Sequence, residues 1–588
     1  MSDVRTSTNR PVPHHGSGLG VQGLNARDGH TALTVADRVV ARLVDAGVRT
    51  AFGVHGANIE DVFDAAVRHP RLAPVVAKHE FGAGAMADGH TRLTGEPAAV
   101  LTTSGGGALN VVPALGEAYD SRVPVIALIG SAPTPAVGRG GFQDMLDPPD
   151  TVDLRAVLSG VVGFCGLVDE PSRLDGVLDE AFATTARGLP AAVILPKDVQ
   201  TSPWTEAHSP PARPADLASV PAATVDDLAD RLAEVSRAGG TVCIWAGEEA
   251  SRLGLADAVD NLAGLLGAAV VVSPGGRDIG RTSCSGVTGV MGHPSAHRAV
   301  RDAQLILAIG CRMSMTDRAG LDDALATIPV VHLGGAPPRT AAAVEHIATQ
   351  RLTDTVGAIH RSLADRVPGP RPPRVHPIEH LEVVPSATAV GMRDALVTIG
   401  DALPTGCAVF ADAGNTGAAA IHHLPFGDGR FRVGRFVVAL GMGGMGWAIA
   451  AGIGSAIAAR RPIPGGRVVV IAGDGSFLMH GMEIHTAIEH DAPITLIVLN
   501  NDAHGMCVTR EARFFPGAPS VNRFRHTDVA GGLDAMFAGV AVRSAPDLET
   551  LRAACDELLS RPGPNCIVVN ADPDEAPPFA PLIARGTP

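Results

Sequence analysis

Short apolar runs with no polar alternation limit this fold more than any other feature of the chain. Val123 to Ile129, Ala192 to Leu195, Leu305 to Ile309, Val468 to Ala472 and Ile494 to Leu499 each read as a strand with both faces dry. Such strands fit a parallel sheet, because parallel neighbours are joined by helical crossovers that cover the two sheet faces. Helical segments such as Ala36 to Ala46 lie between them. Several runs end in glycine turns, as at His55-Gly56-Ala57-Asn58 and Ser104 to Gly107. The expected class is therefore α/β, with doubly wound, mainly parallel sheets.

The alternation continues through a chain of 588 residues, long enough for about three to four domains. Two proline-rich stretches, 201–221 and 367–373, punctuate it. They suggest a polar arm over 1–30, expected to be disordered, and three domains over 31–200, 215–366 and 388–572. The net charge of -14 is spread along the chain and forms no basic stripe, which argues against nucleic acid. Apolar stretches are interrupted before the roughly 18 residues a membrane span needs. The arm has no apolar run of the kind a signal peptide carries. Eight cysteines without a CxxC pair read as reduced thiols, and a cytoplasmic location is expected.

The chemistry concentrates in the third domain. A strand ending at Ala472 leads into Gly473-Asp474-Gly475-Ser476, a helix is expected from Ser476 to His490, and a second strand ends in Asn500-Asn501-Asp502. A helix of about 15 residues climbs roughly 22 Å, and a strand of about six returns roughly 20 Å. Asp474 and Asn501 should therefore emerge at one level, beyond the carboxyl ends of two parallel strands, where open α/β sheets bind ligands. A carboxylate, an amide oxygen and a loop carbonyl suit a hard divalent cation. Glycines and a helix N-terminus beside them suit a diphosphate.

This strand–GDGS–helix–strand–NN pattern resembles the diphosphate signature of thiamine-diphosphate enzymes, most closely the acetolactate synthase-like branch that includes acetohydroxyacid synthases, pyruvate oxidases and benzaldehyde lyase. The resemblance spans about residues 31 to 572. It implies three domains in the order pyrimidine-binding, central and diphosphate-binding. It also implies thiamine diphosphate with magnesium held by Asp474, Asn501 and the carbonyl of Ala503. Lys78-His79-Glu80-Phe81 matches the segment with the family's essential glutamate, so Glu80 would bond the aminopyrimidine. Gly443-Gly444-Met445-Gly446 resembles the loop whose apolar residue wedges between the cofactor's rings, making Met445 that candidate. Gly414, Asn415 and Thr416 match the first diphosphate loop, with Gly473, Gly475, Ser476 and Met506 completing the cofactor contacts.

Phe142-Gln143 resembles the family's Phe-Gln active-site pair, so Gln143 is a catalytic candidate and Phe142 a substrate contact. His504, with an imidazole that titrates near neutrality, is an acid/base candidate; a plain loop histidine is the alternative. Arg510 stands where acetohydroxyacid synthases carry a tryptophan. It reads either as a fork for an anionic acceptor or as a helix-surface residue. The strand Val330 to Leu333 leads into Gly-Gly-Ala-Pro-Pro without the acidic residue of flavin-binding relatives. FAD is thus the lesser cofactor expectation. The implied activity is carboligation, joining the acyl unit of a 2-oxo acid to an acceptor carbonyl. Decarboxylation alone, aldehyde lyase chemistry and a flavin-linked oxidoreductase stand as alternatives. The implied assembly is a homo-oligomer with sites at a dimer interface.

Overall fold

The computed structural model describes residues 33–204, 219–281, 283–382, 389–425, 433–458 and 466–579. The N-terminal arm over 1–30 and residues 205–218 of the first proline-rich stretch lie outside these. The described residues form three six-stranded sheets, and every strand pairing in them is parallel. The first contains β1 Thr50–Gly53, β2 Ala73–Val76, β3 Ala98–Thr102, β4 Val125–Ser131, β5 Phe164–Leu167 and β6 Ala191–Pro196. The central sheet contains β7 Val242–Ala246, β8 Ala269–Val272, β9 Cys284–Val287, β10 Leu305–Ile309, β11 Val330–Gly334 and β12 Val344–Ala348. The third contains β13 Cys407–Ala411, β14 Val433–Val438, β15 Val468–Gly473, β16 Ile494–Asn500, β17 Ala541–Ala545 and β18 Asn565–Asn570.

The third sheet runs β14-β13-β15-β16-β18-β17. From β13 the chain first moves outward to β14, then crosses back to β15, so the winding reverses between β13 and β15. The first sheet, β2-β1-β3-β4-β6-β5, reverses in the same way between β1 and β3. Each reversal leaves a crevice at the carboxyl ends of the strands. β12 and β17 are edge strands carrying exposed Glu345, Arg543 and Ser544. Their mixed polarity hides them from a reading based on unbroken apolar runs.

The helix expected from Ser476 to His490 is broken. It runs Asp474–His480, tightens into a 3₁₀ turn at Gly481–Glu483, and resumes over Ile484–Glu489. A tertiary contact sits at the break. The Glu483 carboxylate accepts the backbone N–H groups of Lys78 and His79 at 3.0 Å each.

The helix Glu80–Thr94 is buried from Glu80 through Leu93. It lies against the helix Trp447–Ala458 of the third domain, which is also nearly all buried. Glycine makes the close approach possible. A Cβ on Gly89 would stand 2.5 Å from the Ala451 Cβ and 2.6 Å from its carbonyl oxygen, and one on Gly454 would stand 2.4 Å from the Met86 Cβ. Trp447 donates its indole N–H to buried Asp88 at 2.9 Å across the same seam. Gly89→Ala should therefore force the two helices apart and lower stability by about 1–3 kcal/mol. The double variant Gly89→Ala/Ala451→Gly should recover little of that loss, measured as the thermal unfolding midpoint, because the new Cβ still meets the residue-451 carbonyl oxygen at 2.6 Å and its Cα at 2.7 Å. An unchanged midpoint in Gly89→Ala would show that the helices do not need this contact.

Candidate active site

In the third domain, β13 and β15 lie side by side with Ala411 opposite Ile471, so their carboxyl ends open at one level. Each leads into a helix. Gly414, at φ +91°, precedes Asn415–His423, and Gly473 precedes Asp474–His480. Two helix N-termini, with unpaired N–H groups and positive dipole ends, thus face the crevice between the strands. Thr416 and Gly473 sit together, with the threonine hydroxyl 3.3 Å from the position of a Cβ on Gly473. Ser476 is buried and hydrogen-bonds Asp412.

Asp474 is 2% exposed. Burial pushes its carboxyl up to about 6; the N–H groups of Gly475 and Ala503 oppose that rise, and nearby Asp502 adds to it. A buried carboxylate held this way is short of positive charge. The Asn501 amide oxygen accepts the Ala503 N–H at 3.2 Å. Ala503 forms an antiparallel bridge with Arg523. The bonds of that bridge run from His504 N–H to Asn522 and from Phe524 N–H to Asp502. In such a pair the peptide groups of the bridged residue point away from its partner. Those of Ala503 point to the side of Asp474 and Asn501.

Among the described residues, Asn415 Oδ1 and His504 Nδ1 are buried here without a hydrogen-bond partner. A Cβ on Gly505 would lie 2.7 Å from the Asn415 amide and 2.8 Å from that of Asn501. One on Gly475 would lie 2.6 Å from His504 Nδ1 and 3.1 Å from the Met445 methyl. Asn415, Asn501, His504 and Met445 therefore line one glycine-walled cradle. Met506 and Arg510 are four residues apart on the helix Gly505–Phe514, hence on one face. Arg510 is exposed and its guanidinium lies 5.3 Å from the Phe514 ring centre.

In the first domain Glu80 is 9% exposed at the start of its helix and accepts the Asn110 amide at 3.0 Å. The Glu80 carboxylate comes within 3.1 Å of where a Cβ on Gly107 would be. Asn58 donates to the Ser104 hydroxyl at 2.7 Å and to the Phe142 carbonyl at 3.4 Å. Gln143 takes the left-handed φ of +59°, with its amide oxygen 3.4 Å from the hydroxyls of Thr103 and Ser104. Phe142 is 74% exposed. His79 is committed locally, accepting the Phe81 N–H at 3.1 Å.

Sequence reasoning missed Asp412, although it stands at the end of β13 as Asp474 stands at the end of β15. It accepts the N–H groups of Ala413 and Gly446 at 2.8 Å each. Asn110 and Glu483 gave no local signal, because their partners lie 30 or more residues away.

His293, His380 and His422 bring ring nitrogens within 4.8 Å of one another, close enough for a metal. Their hydrogen bonds argue against one. His293 Nδ1 accepts the Val287 N–H and its Nε2 faces the His422 carbonyl; His422 Nε2 accepts the Leu381 N–H and its Nδ1 faces the Met291 carbonyl. No lone pair is left on either ring. Burial pushes His422 down to about 3, keeping it neutral. His422 and His423 end the helix that begins at Asn415 and act as packing between the central and third domains.

A cleft of about 230 Å³ lies between the first and central domains, lined by Glu248, Glu249, Arg252, Arg312 and His332 among others. It is smaller than the roughly 300–1,000 Å³ of ordinary small-molecule sites. Glu249 reaches across to the Gly335 N–H at 3.2 Å, so a carboxylate from another element stands at the end of β11.

Three family models match the chain in order. They are the N-terminal TPP binding domain of thiamine pyrophosphate enzymes over residues 33–153, the central domain over 225–351 and the C-terminal TPP binding domain over 412–569. Acetolactate synthase isozyme 1 large subunit of Escherichia coli K12 is 25% identical over 565 residues, covering 92% of this chain and 94% of the relative. Isozyme 2 of the same organism is 25% identical over 574 residues, covering 94% and 97%. The mitochondrial acetolactate synthase catalytic subunit of Saccharomyces cerevisiae is 25% identical over 594 residues, covering 92% and 80%. With its three parallel sheets and these three domain matches in order, the chain belongs to the thiamine pyrophosphate enzymes.

Proposed function

We propose that this protein is a thiamine-diphosphate- and magnesium-dependent carboligase of the cytoplasm. It takes pyruvate or a related 2-oxo acid as donor, joins the acyl unit to an acceptor carbonyl, and works as a homo-oligomer. The observation that carries this reading is end-to-end similarity to acetolactate synthases together with Glu80, Asp474 and Asn501 in their strand-end settings. When bound, thiamine diphosphate supplies the carbon nucleophile that releases carbon dioxide and transfers the acyl unit.

The chain's own groups do the rest. Asp474, the Asn501 amide oxygen and the Ala503 carbonyl would hold magnesium, a hard cation that prefers oxygen ligands. Gly414, Asn415, Thr416, Gly473, Gly475 and Ser476 receive the diphosphate on two helix N-termini. Gly443 and Met445 support the cofactor's rings and Met506 lines the cradle. Glu80 would hydrogen-bond the aminopyrimidine. Gln143 would contact the donor, His504 would serve as an acid/base group, and Phe142 and Arg510 would contact substrate. Leu109, Phe142, Leu478, Met479 and Met482 are exposed on elements that carry or adjoin the two half-sites. Apolar side chains left open there favour burial against a second copy.

Asp474→Ala should lose magnesium-dependent cofactor binding and all activity, because the diphosphate then lacks its counter-ion. Calorimetric titration of thiamine diphosphate with and without magnesium checks this; wild-type binding in the variant would remove Asp474 from the site. Product analysis with pyruvate alone, then with added carbonyl acceptors, tests the reaction. A coupled hydroxyketone should form, whereas aldehyde alone would make the protein a decarboxylase. Arg510→Ala should raise the KM of an anionic acceptor far more than that of the donor. An equal effect on both would leave Arg510 on the surface.

A further inference from the structure

The loop Ala439–Gly446, which carries Met445, is held at both ends by buried carboxylates from different domains. Asp412 of the third domain accepts the Gly446 N–H at 2.8 Å. At the other end stands Glu117, on the first-domain helix Val112–Asp120. It accepts three successive backbone N–H groups, those of Gly441 at 3.2 Å, Met442 at 2.6 Å and Gly443 at 3.3 Å. Consecutive N–H groups converging on one anion form a concave nest. Here the anion is a side chain of the same protein.

Glu117 is itself fixed. It is 2% exposed, and it accepts the Arg92 guanidinium at 2.9 Å and the Ser121 hydroxyl at 2.6 Å. Burial works against its charge, but Arg92 and these hydrogen bonds outweigh that, so the carboxyl stays below its usual range. The loop needs such an anchor. Four of its last six residues are glycine, and Gly443 and Gly446 hold left-handed φ values of +65° and +84°. A glycine-rich loop has more conformational freedom to lose than any other.

We propose that Glu117 is a positioning residue for the cofactor. It sets the path of the Gly441–Gly443 backbone and so the seat of Met445, letting the first domain of a chain shape the cofactor cradle on its own third domain. This rests on reading Met445 as the support of the cofactor's rings. A carboxylate suits the task because both oxygens accept, and charge-assisted hydrogen bonds are the stronger kind. A glutamine would present its NH₂ to one side of the nest, where only acceptors fit.

The test measures thiamine diphosphate affinity, with magnesium, by calorimetry in Glu117→Gln, Met445→Ala and the double variant. Glu117→Gln should weaken binding about 10- to 100-fold. Because both residues act through one loop, the double variant should bind little worse than the weaker single one. Gly441→Ala keeps the carboxylate but crowds it, since its Cβ would fall 3.1 Å from the Glu117 carboxylate and 2.9 Å from the Ser121 hydroxyl. It should show the same loss, and serves if Glu117→Gln does not fold. Losses that multiply in the double variant, or wild-type affinity in Glu117→Gln, would overturn the positioning role. Wild-type affinity in Met445→Ala would overturn the reading of Met445, a separate failure.

Discussion

The seam between the helices Glu80–Thr94 and Trp447–Ala458 is the contact on which the rest of the molecule depends. The first helix begins at Glu80, and the second begins directly after the loop that carries Met445. Their close approach fixes the first and third domains relative to one another, and glycine at positions 89 and 454 permits it. Arg92 lies at the heart of the seam. It is bound to Asp88, Glu117 and Glu248, and its guanidinium stands 4.8 Å from the Trp447 ring centre. Removing one partner of such a buried cluster costs about 3–5 kcal/mol, because the remaining charges stay buried. All three domains contribute to it, so the cluster also sets which arrangement of domains is allowed.

Buried carboxylates recur around the crevice, and each is held differently. Glu483 caps the N–H groups of Lys78 and His79 just ahead of Glu80. Asp412 holds Gly446, and burial pushes its carboxyl up to about 6 against those N–H bonds. Burial pushes Asp474 up to about 6 as well, and nearby Asp502 adds to that rise. The first two fix backbone. The third is the carboxylate we propose as the magnesium ligand.

Much of the fold was legible because an unbroken apolar strand has few places to go. β4, β6, β10, β15 and β16 are dry on both faces, and parallel pairing follows from that. Edge strands β12 and β17 were hidden by their mixed polarity. Helix and strand rises placed Asp474 and Asn501 at one level, since that arithmetic depends only on backbone geometry. The expected single helix over 476–490 missed the turn at Gly481–Glu483, where a contact made 405 residues away overrides local propensity. Asn110, Glu117 and Glu483 went unseen for the same reason: each is defined by a partner distant in sequence, and a lone Asn or Glu carries no signal of its own.

We propose that Glu80 and the Asp474–Asn501 pair are two halves of one cofactor site, contributed by different copies of the chain. Within one chain the Glu80 carboxylate bonds Asn110 of its own domain, while Asp474 and Ala503 face each other in the third. Mixing inactive Glu80→Gln with inactive Asp474→Ala, under conditions that let subunits exchange, tests this most directly. About half of randomly paired dimers are mixed, and each has one of its two sites intact, so activity should recover to about a quarter of wild type. No recovery despite demonstrated exchange would mean that each site is built within a single chain.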